Sequence, residues 1–317
     1  MLATRQQSAA ASKRPASPGC LAWAGWRMDV PAQWRPLKIE GEHSCGTMIL
    51  GRGADVVMQL KWWRPKLKRF QPDRWLRRRL KAVKAKIDDD DTCPSPDGFE
   101  PVSLAKSRRR KRGKGGPLTL WYGWAPDAGV QIEAVIAPQE SGGRSAPWRA
   151  LKSLRAAQMS APTVWAVFDS LFHVPADFVI DKHELLLGDL SLQFTGPNRQ
   201  TLMLRQIYPA DLALERREMA DWLEFSRFRT RRHFCGDTDE NWVIEHDGKR
   251  LKGLRRKGVR VYPFPLGVVR PLYSTGAAVR DAETGRLLLV EHDSCRQHDD
   301  ALLRRMILTM NQLEETL

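Results

Sequence analysis

Arginine and lysine are the side chains best grouped for chemistry in this chain, and what they support is binding of phosphate or carboxylate. Between Arg64 and Lys86 there are eleven Lys and Arg against a single acid, Asp73, and Arg77 and Arg78 stand in the middle of that run. A second run, K-S-R-R-R-K-R-G-K over residues 106–114, contains Arg108, Arg109 and Arg110 and no acid. Arg255, Arg256 and Lys257 form a third cluster in the C-terminal half. Basic loops of this kind grip phosphates in a salt-dependent, sequence-blind way. Trp62 or Trp63 would add base stacking if the partner is single-stranded. The same runs also suit solvated loops that aid solubility, or an address or flexible arm. Net charge is +15 with a pI near 9.9, which speaks to partners rather than to fold.

Other chemistries are weakly represented. His292, Cys295 and His298 recur every three residues, and His43-Ser44-Cys45 echoes His233-Phe234-Cys235. A zinc site needs four N or S ligands within tetrahedral reach, usually as C-x-x-C or H-x₃₋₅-H, and these spacings are irregular. No metal and no cofactor are expected. No G-x-S-x-G elbow, H-E-x-x-H helix or G-x-x-x-x-G-K-[ST] loop occurs, so no catalytic residue is assigned. The G-K-G-G stretch at 113–116 lacks the preceding strand and the Ser or Thr of a phosphate loop. Asp237, Asp239 and Glu240 group tightly enough for acid–base work, yet acidic loops are common.

The elements that must position these residues follow from periodicity. Trp26, Met28 and Val30 alternate until Pro31, which removes a ladder donor. Thr47 to Leu50 and Val56 to Trp62 read as strands across the turn G-R-G-A-D. Pro72 and Asp73 predict a helix start, with Trp75, Leu76, Leu80 and Val83 on one face and Arg74, Arg77, Arg78, Lys81 and Lys84 opposite. Pro117 to Trp124 and Val130 to Ile136 predict a hairpin across P-D-A-G. A short helix begins near Ser145 and Pro147. Leu302, Leu303, Met306, Ile307, Met310 and Leu313 predict a final amphipathic helix.

Landmarks recur in order. Val30-Pro31-Ala32 matches Val174-Pro175-Ala176, Trp34 matches Phe178, Trp63 matches Tyr208, and Trp75-Leu76 matches Trp222-Leu223. Aligning Leu104 with Leu251 sets Arg108, Arg109 and Arg110 on Arg255, Arg256 and Lys257, so each half is expected to carry an arginine-rich loop. The expected fold is α+β: two tandem copies of an antiparallel β-sheet lobe covered by helices. The expected domains are a disordered tail over 1–20, a first lobe over 21–160 and a second over 161–317. The alternating strand, Val-Pro, two residues and an aromatic resemble the opening of the PsbP-like superfamily, which includes photosystem extrinsic proteins, Ran-binding nuclear import factors and bacterial DcrB-like proteins. That resemblance implies an antiparallel sheet flanked by helices and a mostly non-enzymatic, partner-binding history, and it transfers no functional residue.

The five cysteines show no paired spacing, so a reducing compartment and a cytoplasmic location are expected. The acid-free first 27 residues loosely resemble a transit peptide and equally suit a disordered tail or a start codon placed too far upstream. No run of ~18 apolar residues is present, which predicts no membrane-spanning helix. The expected function is a non-catalytic, two-lobed binding or adaptor protein whose basic face meets an acidic partner, nucleic acid or acidic protein. The competing readings are an enzyme with a site between the lobes and a structural component of a larger assembly.

Overall fold

The computed structural model describes residues 19–66, 71–87, 93–100, 102–107, 118–138, 145–156, 162–168, 170–226, 234–246, 248–263 and 269–311. No helix among these residues is long and apolar enough to cross a membrane. The chain divides into two compact units that are not contiguous in sequence. One comprises Met1–Leu21, Met28–Glu40 and Ser44–Arg155; the other comprises Ala22–Arg27, Gly41–His43 and Ala156–Leu317.

Residues up to 156 form β1 (Gly19–Trp23), β2 (Trp26–Val30), β3 (Trp34–Glu42), β4 (Cys45–Arg52), β5 (Asp55–Trp63), α1 (Pro72–Val83), β6 (Ala85–Ile87), β7 (Val102–Ser107), β8 (Thr119–Ala125), β9 (Val130–Ile136), α2 (Ala146–Lys152) and β10 (Arg155–Ala156). Pro31 ends β2, and the Trp34 N–H bonds back to its carbonyl at 2.8 Å. A seven-stranded sheet runs β3-β4-β5-β9-β8-β7-β6. Alternation divides its residues cleanly between two faces. Leu60, Trp62, Ile132, Ala134 and Trp121 are buried on one face. Trp63 pairs across the ladder with Gln131, and Lys61 with Glu133, on the other.

Helix α1 covers part of that second face. Pro72 opens it where its missing N–H is harmless, and Lys84 closes it with a left-handed φ of 54° that turns its N–H onto the carbonyls of Leu80 and Lys81. Leu76 and Leu80, one turn apart, pack on Ala105, Leu120 and Tyr122. Each such leucine contributes about 1.5–3 kcal/mol of burial. Between them Arg79 donates from Nε and Nη2 to the Glu133 carboxylate at 2.7 and 3.0 Å. Tyr122 lies beneath this pair, and burial raises its phenol pKa well above the usual value.

The later residues form β11 (Thr163–Val167), β12 (Ser170–Val174), β13 (Val179–Leu186), β14 (Asp189–Thr195), β15 (Thr201–Ile207), α3 (Ala210–Arg216), α4 (Met219–Ser226), β16 (Phe234–His246), β17 (Lys249–Pro263), β18 (Val269–Asp281), β19 (Arg286–Ser294) and α5 (Asp300–Asn311). A second seven-stranded sheet runs β13-β14-β15-β19-β18-β17-β16, and a five-stranded sheet runs β10-β2-β1-β11-β12. Helices α3 and α4 close a core of Ile207, Ala213, Leu223, Leu287 and Leu289. Helix α5 buries Leu302, Leu303, Met306, Ile307 and Met310 and packs on β12 and β19.

The expectation of two tandem, helix-covered α+β lobes is therefore corrected. Antiparallel strands dominate, in three sheets, and among the described residues nineteen strands stand beside five α-helices. Three of those helices hold only seven or eight residues. The apolar stripes of α1 and α5 are conspicuous in sequence, whereas β17 holds seven cations among its fifteen residues and its Arg255-Arg256-Lys257 segment reads as a loop. The backbone of β17 is nevertheless satisfied by β16 and β18 on its two sides. Strand β1 begins at Gly19, with Cys20 buried, and 1–18, most of the expected tail, lie outside the described residues.

Burial in the second unit also fixes a protonation state. His292 in β19 is 3% exposed, and its Nε2 lies 3.4 Å from the Gln200 amide oxygen. Burial lowers its pKa against the opposing pull of Asp299 and Asp293, so the folded chain keeps it neutral. His173 and His298 are lowered for the same first reason.

Two predictions arise. Removing Arg79 strands Glu133, whose side chain is 5% exposed, so Arg79→Ala should lower unfolding stability by about 2–3 kcal/mol, measured by urea denaturation. That is below the ~3–5 of a fully buried pair, because Arg79 keeps 36% of its side chain in water. The unfolded chain binds protons on these histidines below about pH 6.5 while the folded chain resists them. Stability is thus full above that pH and falls on acidification, and His292→Asn should flatten the decline of Tm between about pH 7 and pH 5. An unchanged midpoint in the first experiment, or an unchanged slope in the second, would contradict these assignments.

Candidate polyanion site

The end of β5, the chain leaving it and the first turns of α1 enclose an open cleft of about 770 Å³. Its lining includes Arg64, Lys66, Arg74 and Arg78, and no acidic side chain among the described residues. Arg74 and Arg78 are one helical turn apart and both exposed, on the side of α1 turned away from Leu76 and Leu80. The backbone of Arg64 is held by its N–H bonding the Ser44 carbonyl at 2.6 Å. None of Lys66, Arg74 and Arg78 has an acidic partner within 4.0 Å among the described residues.

This charge opposes the local preferences of the helix. Arginines at i and i+4 repel by a few tenths of a kcal/mol. Arg74 also lies in the first turn, where the macrodipole favours an anion. Leu76, Leu80 and the Arg79–Glu133 pair hold the helix in place despite this repulsion. An incoming anion would relieve the repulsion and meet the positive end of the helix dipole as well.

The wall of the cleft is aromatic and amide. Trp63 is half-buried and meets Trp75 edge-on, with ring centroids 5.6 Å apart and planes at 67°. Trp75 meets Tyr122 in turn at 5.7 Å and 79°. Gln131 lies opposite Trp63 in the ladder and is 1% exposed. Its Oε1 is buried without a hydrogen-bond partner among the described residues. Such an orphan costs about 1–3 kcal/mol until a donor reaches it, and of the atoms in this state among the described residues Gln131 Oε1 is the one whose side chain lines the cleft.

The predicted basic residues meet different fates. Arg78 lines the cleft, while Arg77 is exposed on α1 outside it. Arg108, Arg109 and Arg110 lie outside the described residues. Arg255, Arg256 and Lys257 do not form a loop: they occupy the middle of β17, paired with β16 and β18. Arg255 bonds the Glu240 carboxylate and, at 2.9 Å, Asp300; Lys257 reaches Asp300 at 2.7 Å. Arg255 also stands 5.7 Å over the Trp242 ring, and its hydrogen bond holds the Glu240 carboxyl below the usual range. Arg255 and Lys257 are thus neutralised internally, while alternation turns Arg256 to the other face of the strand. The expectation of free charge at this cluster is corrected accordingly.

The weaker candidates disperse. Among the described residues no three or more His, Cys, Asp and Glu side chains converge as a metal would require. His298 Nδ1 lies 2.8 Å from Thr275 Oγ1, Cys295 is exposed, and His43 stacks on Trp26 at 5.5 Å. His233, the side chains of Cys235, Asp237 and Asp239, and the 113–116 stretch lie outside the described residues. Arg64 and Lys66 belonged visibly to the first basic run. Gln131 carried no signal, because only its burial beside Trp63 makes it notable.

No protein-family model matches the chain, and no curated protein matches it. Among solved structures, the apo structure of the immunity protein TplEi of T6SS from Pseudomonas aeruginosa is similar to it at 12% identity. That alignment covers 92% of this chain and 96% of that one, with a TM-score of 0.35.

Proposed function

We propose that this chain is a non-catalytic binding protein that meets an acidic partner through its basic cleft, with nucleic acid the leading partner. The observation that carries the reading is that, among the described residues, no acidic side chain lines the cleft with Arg64, Lys66, Arg74 and Arg78. Where β17 crowds its cations, Arg255 and Lys257 are neutralised by acids of the same unit. In the cleft, Lys66, Arg74 and Arg78 have no such partner among the described residues. The partner-binding history implied by the PsbP-like resemblance agrees in functional class.

Binding of this kind weakens with salt, by a slope of about 0.7 per phosphate contact on a single strand and about 0.9 on a duplex. Arg74→Glu/Arg78→Glu should lower affinity for DNA and RNA at least about tenfold at low salt and reduce that slope by roughly 1.4–1.8. Lys182→Glu/Arg199→Glu makes the same change in net charge at two exposed positions remote in sequence. It should leave both quantities nearly unchanged. Fluorescence anisotropy over a salt series measures them. Equal binding by all three proteins, or none by the wild type, refutes the proposal; preference for polyglutamate over nucleic acid reassigns the partner to an acidic protein.

A further inference from the structure

We infer that the cleft receives an unpaired nucleotide, its base beside Trp63 and Gln131 and its flanking phosphates on the surrounding cations. This rests on the polyanion reading of the same cleft and narrows it to single-stranded nucleic acid. Of the two adjacent tryptophans, Trp62 is 3% exposed within the core, while Trp63 borders the cleft. Strand alternation makes them face opposite ways, so one serves stability and the other is available to a ligand. Contact with Trp75, itself set against Tyr122, fixes the Trp63 ring as a firm wall.

Gln131 supplies an independent sign. Its buried Oε1 lacks a donor among the described residues, in a wall that otherwise offers indole and guanidinium groups. Every nucleobase presents N–H groups on its pairing edge, and in a duplex those groups already serve the opposite strand. A single strand leaves them available to the Gln131 carbonyl. The cleft volume of about 770 Å³ falls in the range of small-ligand sites, room for a base rather than for the body of a double helix. Arg64, Lys66, Arg74 and Arg78 then meet phosphates on either side of the base. This pairing of a basic groove with an aromatic platform is how sequence-tolerant single-strand binders work.

The test compares four ligands on the full chain: a 12-nucleotide single strand, the same strand with abasic sites, its duplex, and heparin. The wild type should bind the intact strand roughly tenfold more tightly than the abasic strand or the duplex. Trp63→Leu and Gln131→Leu should each bring the intact strand down toward the abasic value, with the salt slope unchanged because no cation is lost. Trp63→Phe should retain most of the preference, which separates stacking from loss of packing. Gln131→Leu should not lower Tm by more than a degree or two, since the buried oxygen it removes has no donor among the described residues. Equal affinity for intact strand, abasic strand and duplex overturns the inference while leaving polyanion binding in place. The inference is equally overturned if the variants lose affinity for heparin in parallel. Failure to bind any of the four ligands removes the polyanion reading itself.

Discussion

One ion pair organises the first unit. Glu133 sits in the middle of β9, on a sheet face that carries Trp63, Gln131 and Tyr122, and is almost wholly removed from water. A carboxylate there is tolerable only with a partner, and Arg79 supplies a two-pronged one. That contact fixes both the rotation and the position of α1. With Leu76 and Leu80 turned to the sheet and Arg79 on Glu133, Arg74 and Arg78 have only the cleft side and solvent to face. The basic rim of the cleft is therefore a consequence of how one buried acid is satisfied.

Arginine plays two parts among the described residues, separated by surroundings. Arg79 is structural, neutralised by a buried carboxylate. Arg255 is structural too, shared between Glu240 and Asp300 and lying over Trp242. Arg74 and Arg78 have no such arrangement and repel each other along one helix. A net charge of +15 could suggest a uniformly sticky surface. Among the described residues, the cleft gathers four cations with no acid in its lining, beside an aromatic wall.

Much of the local structure was readable from residue order. Pro31 ends β2, Pro72 opens α1, and the P-D-A-G turn joins β8 to β9, because each depends on the conformational limits of a few neighbouring residues. Strand β17 is harder to read: seven of its fifteen residues are Lys or Arg, three of them consecutive, and such a strand becomes favourable only when partners on both sides satisfy its backbone. Local composition presents that charge as loop, and it does not show that antiparallel strands in three sheets dominate. For the same reason Arg255 and Lys257 were expected to be free, since the acid that neutralises them arrives with α5, far along the chain.

The sequence by itself determined the sign and the approximate place of the charge, the start of α1 at Pro72, and the presence of a tryptophan pair beside the first basic run. Only the tertiary structure decided which cations lack an acidic partner among the described residues, which tryptophan reaches the cleft, and that Gln131 is buried with no donor among those residues. The physical reason is range. Turns and helix ends are settled within a few residues, whereas neutralisation is pairwise between side chains 54 residues apart for Arg79 and Glu133 and 45 apart for Arg255 and Asp300. Sheet register brings those partners together, and register follows from the packing of the whole sheet rather than from any one segment.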